Sequence, residues 1–415
     1  MKMREIFLWI VSPLLFLGLT VGVAWCDNSS CLGCHQDRTL TMKDVRGISL
    51  SLFVSETEFK NSVHAELSCS DCHMKIKDDT HAAGGTRLAD QGVNCGVCHP
   101  EAEKQYEQSV HAKVTMQGMK GAATCYNCHG KHNILSSQNP KSMTYFSNIE
   151  KTCDQCHANV TFVKEHALGP GPTPEDLFKG SVHRKSGEVT CTSCHGSHNL
   201  RSLIDPKSSI FRSNIPRTCG ACHGQITKEF TESIHGVLAA RGRSDAPTCT
   251  TCHGIHGIKA KVDPDSPVNE RRIAVTTCPQ CHASQRITRE YGMTASPVKS
   301  YLDSFHGLSY RGGDPYVADC ASCHGVHDIL PPSDPKSTVN KNNLQKTCGT
   351  CHPGASMNFA ELSIHTFGPT GKATIGDKVI GWVKTFYIVL IVAVVGGMAF
   401  LNFTDWLRKT IDRGP

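Results

Sequence analysis

The sequence predicts a chain of mainly short α-helices and long loops, low in regular secondary structure and wrapped around a continuous stack of covalently held groups, with one C-terminal transmembrane helix. Three observations lead there. Cysteine, at 23 positions in 415 residues, is concentrated in a repeated motif. The chain is poor in core-formers, with 7% aromatic residues against 36 Gly and 20 Pro, so something other than a hydrocarbon core must hold it together. A nineteen-residue uncharged run, TFYIVLIVAVVGGMAFLNF, lies near the C-terminus.

The motif is CxxCH, and it occurs eleven times. It comprises Cys31, Cys34 and His35; Cys69, Cys72 and His73; Cys95, Cys98 and His99; Cys125, Cys128 and His129; Cys153, Cys156 and His157; and Cys191, Cys194 and His195. It continues with Cys219, Cys222 and His223; Cys249, Cys252 and His253; Cys278, Cys281 and His282; Cys320, Cys323 and His324; and Cys348, Cys351 and His352. Only Cys26 falls outside it. Disulfide frameworks and zinc ribbons also use CxxC pairs, but neither requires histidine at the next position. Two thiols one helical turn apart can add to the two vinyl groups on one edge of a porphyrin, while the following imidazole reaches the iron. The chain is therefore expected to carry eleven covalently attached haem c groups.

Haem also changes the meaning of the formal charge of +6. Two propionates per haem, set against one net positive charge at a ferric centre, add about −11 and bring the total to roughly −5. The basic residues then balance propionates, and no nucleic-acid partner is expected.

The remaining motifs form a repeat. Ser-x-His occurs at Ser62, Ser109, Ser181, Ser233, Ser304 and Ser363, supplying His64, His111, His183, His235, His306 and His365. Within a repeat, two CxxCH motifs follow, so five units hold ten motifs and CLGCH stands alone in front. The first motif of the later units reads CHGxH and supplies His132, His198, His256 and His327. His81 takes that place in the first unit at a longer spacing. These eleven histidines equal the number of haems and are the expected second axial ligands. His166 is left as an ordinary histidine. Three residues of extended chain span only about 10 Å, too little to round a porphyrin edge, so His198 is expected to serve a neighbouring haem rather than the haem of His195. On this reading each CHGxH ties two haems side by side. Bis-histidine ligation implies low, overlapping potentials, since methionine in place of histidine raises them.

Asn139-Pro140, Asp205-Pro206, Asp263-Pro264 and Asp334-Pro335 each precede x-Ser and read as scaffold turns. The first unit uses Gly84-Gly85 instead. A threonine before the second motif of a unit (Thr152, Thr218, Thr277, Thr347) reads as an N-cap for the helix that presents it.

Residues 1–24, with Lys2 and Arg4 ahead of an uncharged run, read as a signal peptide. Residues 25–375 form the haem-bearing domain, expected on the periplasmic side of the bacterial inner membrane. Residues 385–403 are long enough to span a bilayer. Arg408, Lys409 and Arg413 in the tail 404–415 place the C-terminus in the cytoplasm by the positive-inside rule.

From about Cys31 to His365 the CxxCH, CHGxH and Ser-x-His residues give the chain a resemblance to multihaem cytochromes c with paired motifs, in the style of the cytochrome c3 and c7 families. It most resembles membrane-anchored members from bacteria that respire metals or sulfur compounds. The resemblance implies a multihaem cytochrome fold and electron transfer in anaerobic respiration. It also implies a membrane subunit that oxidises or reduces quinone, for example of cytochrome b type, and periplasmic or outer-membrane cytochromes as further partners. A competing expectation is a multihaem oxidoreductase of the nitrite, hydroxylamine or tetrathionate kind. That chemistry needs one haem with an open position, whereas eleven distal histidines fill every position, and no CxxCK occurs.

Overall fold

The computed structural model describes residues 28–411 apart from 44–48, 77–92, 120, 160, 162–171, 294–296, 361–363 and 366–374. The expected signal peptide, Cys26, His81, His166, Ser363 and the Gly84-Gly85 turn lie outside the described residues.

Short helices and irregular chain dominate, as the composition requires. The sheet among the described residues is one small antiparallel hairpin, Thr41–Lys43 with Ser49–Ser51, in register Thr41 to Ser51. The chain forms two compact units, one of Met1–Lys104 with Cys125–Ser142 and one of Gln105–Thr124 with Met143–Pro415. Buried apolar side chains are few and mostly small: Ala112, Ala239, Ala246, Ala274 and Ala360 beside Leu32, Phe230, Ile287 and Tyr301. Buried serines and threonines outnumber them, which suits a scaffold held by hydrogen bonds more than by hydrocarbon packing.

The first motif of a unit forms one turn of helix, Cys191–His195, Cys249–His253 or Cys320–His324. Each starts from a capping box that satisfies its free N–H groups: Thr190 with Ser193, Thr248 with Thr251, and Asp319 with Ser322. Each stops at the glycine of CHG. Gly196, Gly254 and Gly325 lie at φ of 79°, 84° and 82° with ψ near extended, a region that essentially only glycine enters. That turn redirects the chain toward the second histidine.

The second motif is built differently, and the N-cap reading of its threonine is overturned. The helix Ile149–His157 begins before Thr152 and has Asn148 at its cap position. Thr152 Oγ1 instead donates to the Met143 carbonyl at 2.7 Å. Thr218 donates to Ser209 at 2.7 Å, Thr347 to Thr338 at 2.6 Å and Thr277 to Pro267. A hydroxyl inside a helix, turned toward the preceding loop, ties that loop down. The loop is the Asx-Pro turn, which behaves as expected: Asn139, Asp205, Asp263 and Asp334 accept from the backbone two residues on at 2.8–2.9 Å. The turn serines Ser142, Ser208, Ser266 and Ser337 are buried and donate to carbonyls seven residues back.

The C-terminal helix, Ile375–Ile411, has 37 residues and extends beyond the apolar run on both sides. Its stretch Gly381–Ile411 is long and apolar enough to cross a membrane, and none of it is buried against the rest of the chain.

An added Cβ at Gly254 meets nothing within 4 Å, so backbone strain alone opposes a side chain there. Gly254→Ala is expected to cost about 1–3 kcal/mol in denaturant unfolding of the haem-loaded protein. Gly224 is equally open but lies in a helix, Gly224–Glu232. Gly224→Ala should be neutral or mildly stabilising in the same experiment.

Candidate functional site

Five of the Ser-x-His serines accept a nearby backbone N–H, and four of them, Ser109, Ser181, Ser233 and Ser304, cap the helix that carries the histidine. Ser109 Oγ accepts from Ala112 N–H at 3.0 Å, Ser233 from Gly236 at 3.1 Å and Ser304 from Gly307 at 3.2 Å. Ser62 and Ser181 accept from His64 and His183, both at 3.2 Å. Ser109, Ser181 and Ser233 are fully buried. The residue between serine and histidine then locks onto the next repeat. Val63 N–H donates to Ile134 at 2.8 Å, Val110 to Leu200 at 2.7 Å, Val182 to Ile258 at 2.8 Å and Ile234 to Ile329 at 2.9 Å. Every acceptor lies two residues beyond a CHGxH histidine. One backbone hydrogen bond thus joins the two elements that carry the candidate distal ligands.

Sequence reasoning missed a further member of this element. An aromatic residue stands three positions before five of the serines: Phe59, Tyr106, Phe178, Phe230 and Tyr301. Its carbonyl accepts the serine N–H at 2.8–3.1 Å. The tyrosine hydroxyls reach toward the next first motif, Tyr106 to the Ala123 carbonyl at 2.8 Å and Tyr301 to Ala318 at 2.9 Å. The signal was present as F/Y-x-x-S-x-H and could have been read.

The histidines come together in pairs. In the first unit His73 faces His132 and His99 faces His64, with ring centroids 6.2 and 6.0 Å apart. In the second unit all seven motif histidines are paired. His157 faces His111, His223 faces His183, His282 faces His235 and His352 faces His306, at 6.1–6.3 Å. His195 faces His256 and His253 faces His327, both at 6.0 Å, and His324 faces His365 at 6.2 Å. A metal clasped linearly between two imidazoles, with metal–nitrogen bonds of about 2 Å and ring radii of roughly 1 Å, sets the centroids roughly 6 Å apart. The pairs fit an iron whose four remaining positions belong to a porphyrin.

The pairing follows a rule. A second-motif histidine takes the Ser-x-His of its own repeat. The first-motif histidines His73, His195 and His253 take the CHGxH histidine of the following repeat, and His324 takes His365. The CHGxH histidine was expected to tie haems lying side by side. His256 instead reaches past the Cys219 motif to His195, and His327 past the Cys278 motif to His253, because the interlock binds its loop to the Ser-x-His of the preceding repeat. Ring planes follow the donor. CHGxH pairs lie at 16°, 21° and 35°, and pairs made with Ser-x-His histidines at 45–57°. His198 occupies the same loop position as His256 and His327.

Burial, followed by the facing imidazole, pushes His235 and His324 down to about 4. It lowers His111, His195 and His253 in the same way. These rings are neutral at physiological pH, the form in which a ring nitrogen can bind a metal.

Motif order in sequence is also order in space within each unit. Cys31 lies beside Cys69 and Cys95 beside Cys125 in the first unit. In the second the same holds for Cys153 and Cys191, Cys219 and Cys249, and Cys278 and Cys320. The intervening links are electrostatic neighbours: Cys72 with Cys98, Cys194 with Cys219, Cys252 with Cys278 and Cys323 with Cys348.

With this geometry in place, comparison with known proteins gives one match. Residues 77–158 match the family model for cytochrome c7 and related cytochrome c. The match covers about a fifth of the chain and includes the motifs at Cys95, Cys125 and Cys153. No curated protein and no solved structure matches. A multihaem segment of the cytochrome c7 type implies electron transfer, and its paired cysteines suit covalent haem c.

Ser233→Ala removes a buried cap and is expected to cost about 1 kcal/mol. Amide exchange should rise across Ile234–Ala240 and stay unchanged in the C-terminal helix.

Proposed function

We propose that the chain is an electron conduit with eleven covalently attached haem c groups, anchored by its C-terminal helix. It passes electrons between a quinone-reactive membrane partner and periplasmic or outer-membrane cytochromes. The observation that carries this reading is the paired imidazoles: every motif histidine of the second unit faces another histidine at 6.0–6.3 Å. Two strong ligands on each iron suit electron relay and leave no coordination position for a substrate. The same roles are assigned to His35, His81, His129 and His198, which complete the ligand set.

When bound, haem supplies one-electron chemistry between ferric and ferrous iron. The chain's own residues do the rest. The cysteines of each CxxCH hold the ring edge by thioether bonds. The neutral, buried histidines would hold the iron from both sides, so that little rearrangement would accompany a change of oxidation state. The serine caps, threonine ties and interlock bonds fix the spacing between successive sites. Cationic side chains balance the propionates. The haem-bearing part is assigned to the periplasmic side, with Arg408, Lys409 and Arg413 in the cytoplasm. The site of Cys320, Cys323 and His324 is the proposed point of exchange with the membrane partner, because its second ligand, His365, belongs to the segment leading into the C-terminal helix.

Intact-mass measurement of the purified protein should show eleven haem additions. The reduced wild-type protein should bind no carbon monoxide, whereas His256→Ala should bind it at the single site that His195 serves. Carbon monoxide binding by the wild-type protein would instead favour an oxidoreductase with an open haem.

A further inference from the structure

His365 stands apart from the other paired histidines. The repeat after the Cys348 motif has no CHGxH, so the loop that would normally supply the partner of His324 does not occur there. A Ser-x-His histidine does that work instead. Its pair with His324 keeps the tilt of its own class, 48°, although it serves a first motif. The ring plane therefore follows how the donor is held.

The contact that holds it is on the helix Pro297–Leu302. Ser300 is 1% exposed, and its Oγ lies 2.9 Å from His365 Nδ1. The same hydroxyl donates its only proton to the Pro297 carbonyl at 2.9 Å, so toward the imidazole it can only accept. Nδ1 must then carry the ring proton. The Pro297 carbonyl also accepts from this ring, so two acceptors favour the same tautomer. Nε2 then carries the lone pair that can bind a metal.

We propose that Ser300 is a positioning residue for the axial ligand His365, fixing its tautomer and the plane of its ring. This rests on the haem-ligand reading above. A hydrogen-bond acceptor on the remote nitrogen of a metal-bound imidazole orients the ring and raises its basicity. Removing it frees the ring to turn and weakens donation to the iron, which favours the ferrous state. The anisotropy of a low-spin ferric centre with two imidazoles follows the angle between the ring planes, so the turn is directly visible.

The test uses the full-length, haem-loaded protein and three substitutions, Ser300→Ala, Ser300→Thr and His365→Ala, with haem content, low-temperature EPR and a redox titration. His365→Ala should convert one haem's worth of intensity to high spin. Ser300→Ala should keep its haem and stay low spin, with one haem's worth of the envelope shifted and its potential raised. Ser300→Thr, which keeps the hydroxyl, should restore the wild-type signal. Ser300→Ala spectra and titration identical to wild type, beside a high-spin His365→Ala, would overturn the positioning role and leave the ligand reading standing. Equal loss of haem in both serine variants would also overturn it, by making Ser300 merely structural. A wholly low-spin His365→Ala protein would overturn the ligand assignment itself.

Discussion

On the proposed ligand reading, the structure depends on two imidazoles from remote parts of the chain meeting across one metal at a centroid separation of roughly 6 Å. Partners such as His195 and His256, or His253 and His327, are separated in sequence by whole motifs, so no local turn could bring them together. The chain meets the demand by repeating one solution. A capped Ser-x-His element and a glycine-turned CHGxH loop are joined by a single backbone hydrogen bond, as between Val182 and Ile258. Within each unit a repeat completes a site in the one before it, as His132 does for His73 and His256 for His195. Inside a unit the repeats are thus interlocked rather than a row of independent modules.

Such an array has little use for an ordinary hydrocarbon core. Among the described residues, the larger of the most deeply buried side chains are serines and a threonine, including Ser109, Ser233, Ser266 and Thr248. They serve as caps and loop ties. Short polar contacts hold backbone segments at fixed spacing, and on the proposed reading large planar groups fill the interior, where covalent thioether attachment would supply the permanence that apolar packing gives elsewhere. The same logic accounts for buried histidines that stay neutral. A charged imidazolium would be expensive to bury beside another imidazole, and it could not bind a metal.

Much of this was legible in the sequence because haem attachment is a local covalent problem. CxxCH is a one-turn solution, so the motifs and the short helices that carry them could be read directly. The Asx-Pro turns were legible for the same reason, since their hydrogen bonds close within two or three residues. Pairing was not legible. His198 and its counterparts could be excluded from their own haem by chain reach, but the reach past an intervening motif comes from a hydrogen bond between repeats that no local pattern announces. The threonines were misread because a Thr just before a helical motif looks like a cap. In Thr152 and Thr218 the helix starts earlier, and the hydroxyl points back to the loop. The aromatic residue before five of the serines was overlooked because a lone Phe or Tyr in a polar stretch attracts notice only when the repeats are aligned on the serine.

The central claim is that paired histidines fill both axial positions at every site. Low-temperature EPR of the oxidised wild-type protein, read against its measured haem content, tests it most directly. The account predicts low-spin ferric signals alone, in two families that follow the smaller and larger ring angles. A high-spin signal amounting to one haem or more would contradict it, because an iron would then lack a second imidazole and the chain would hold a site open to substrate.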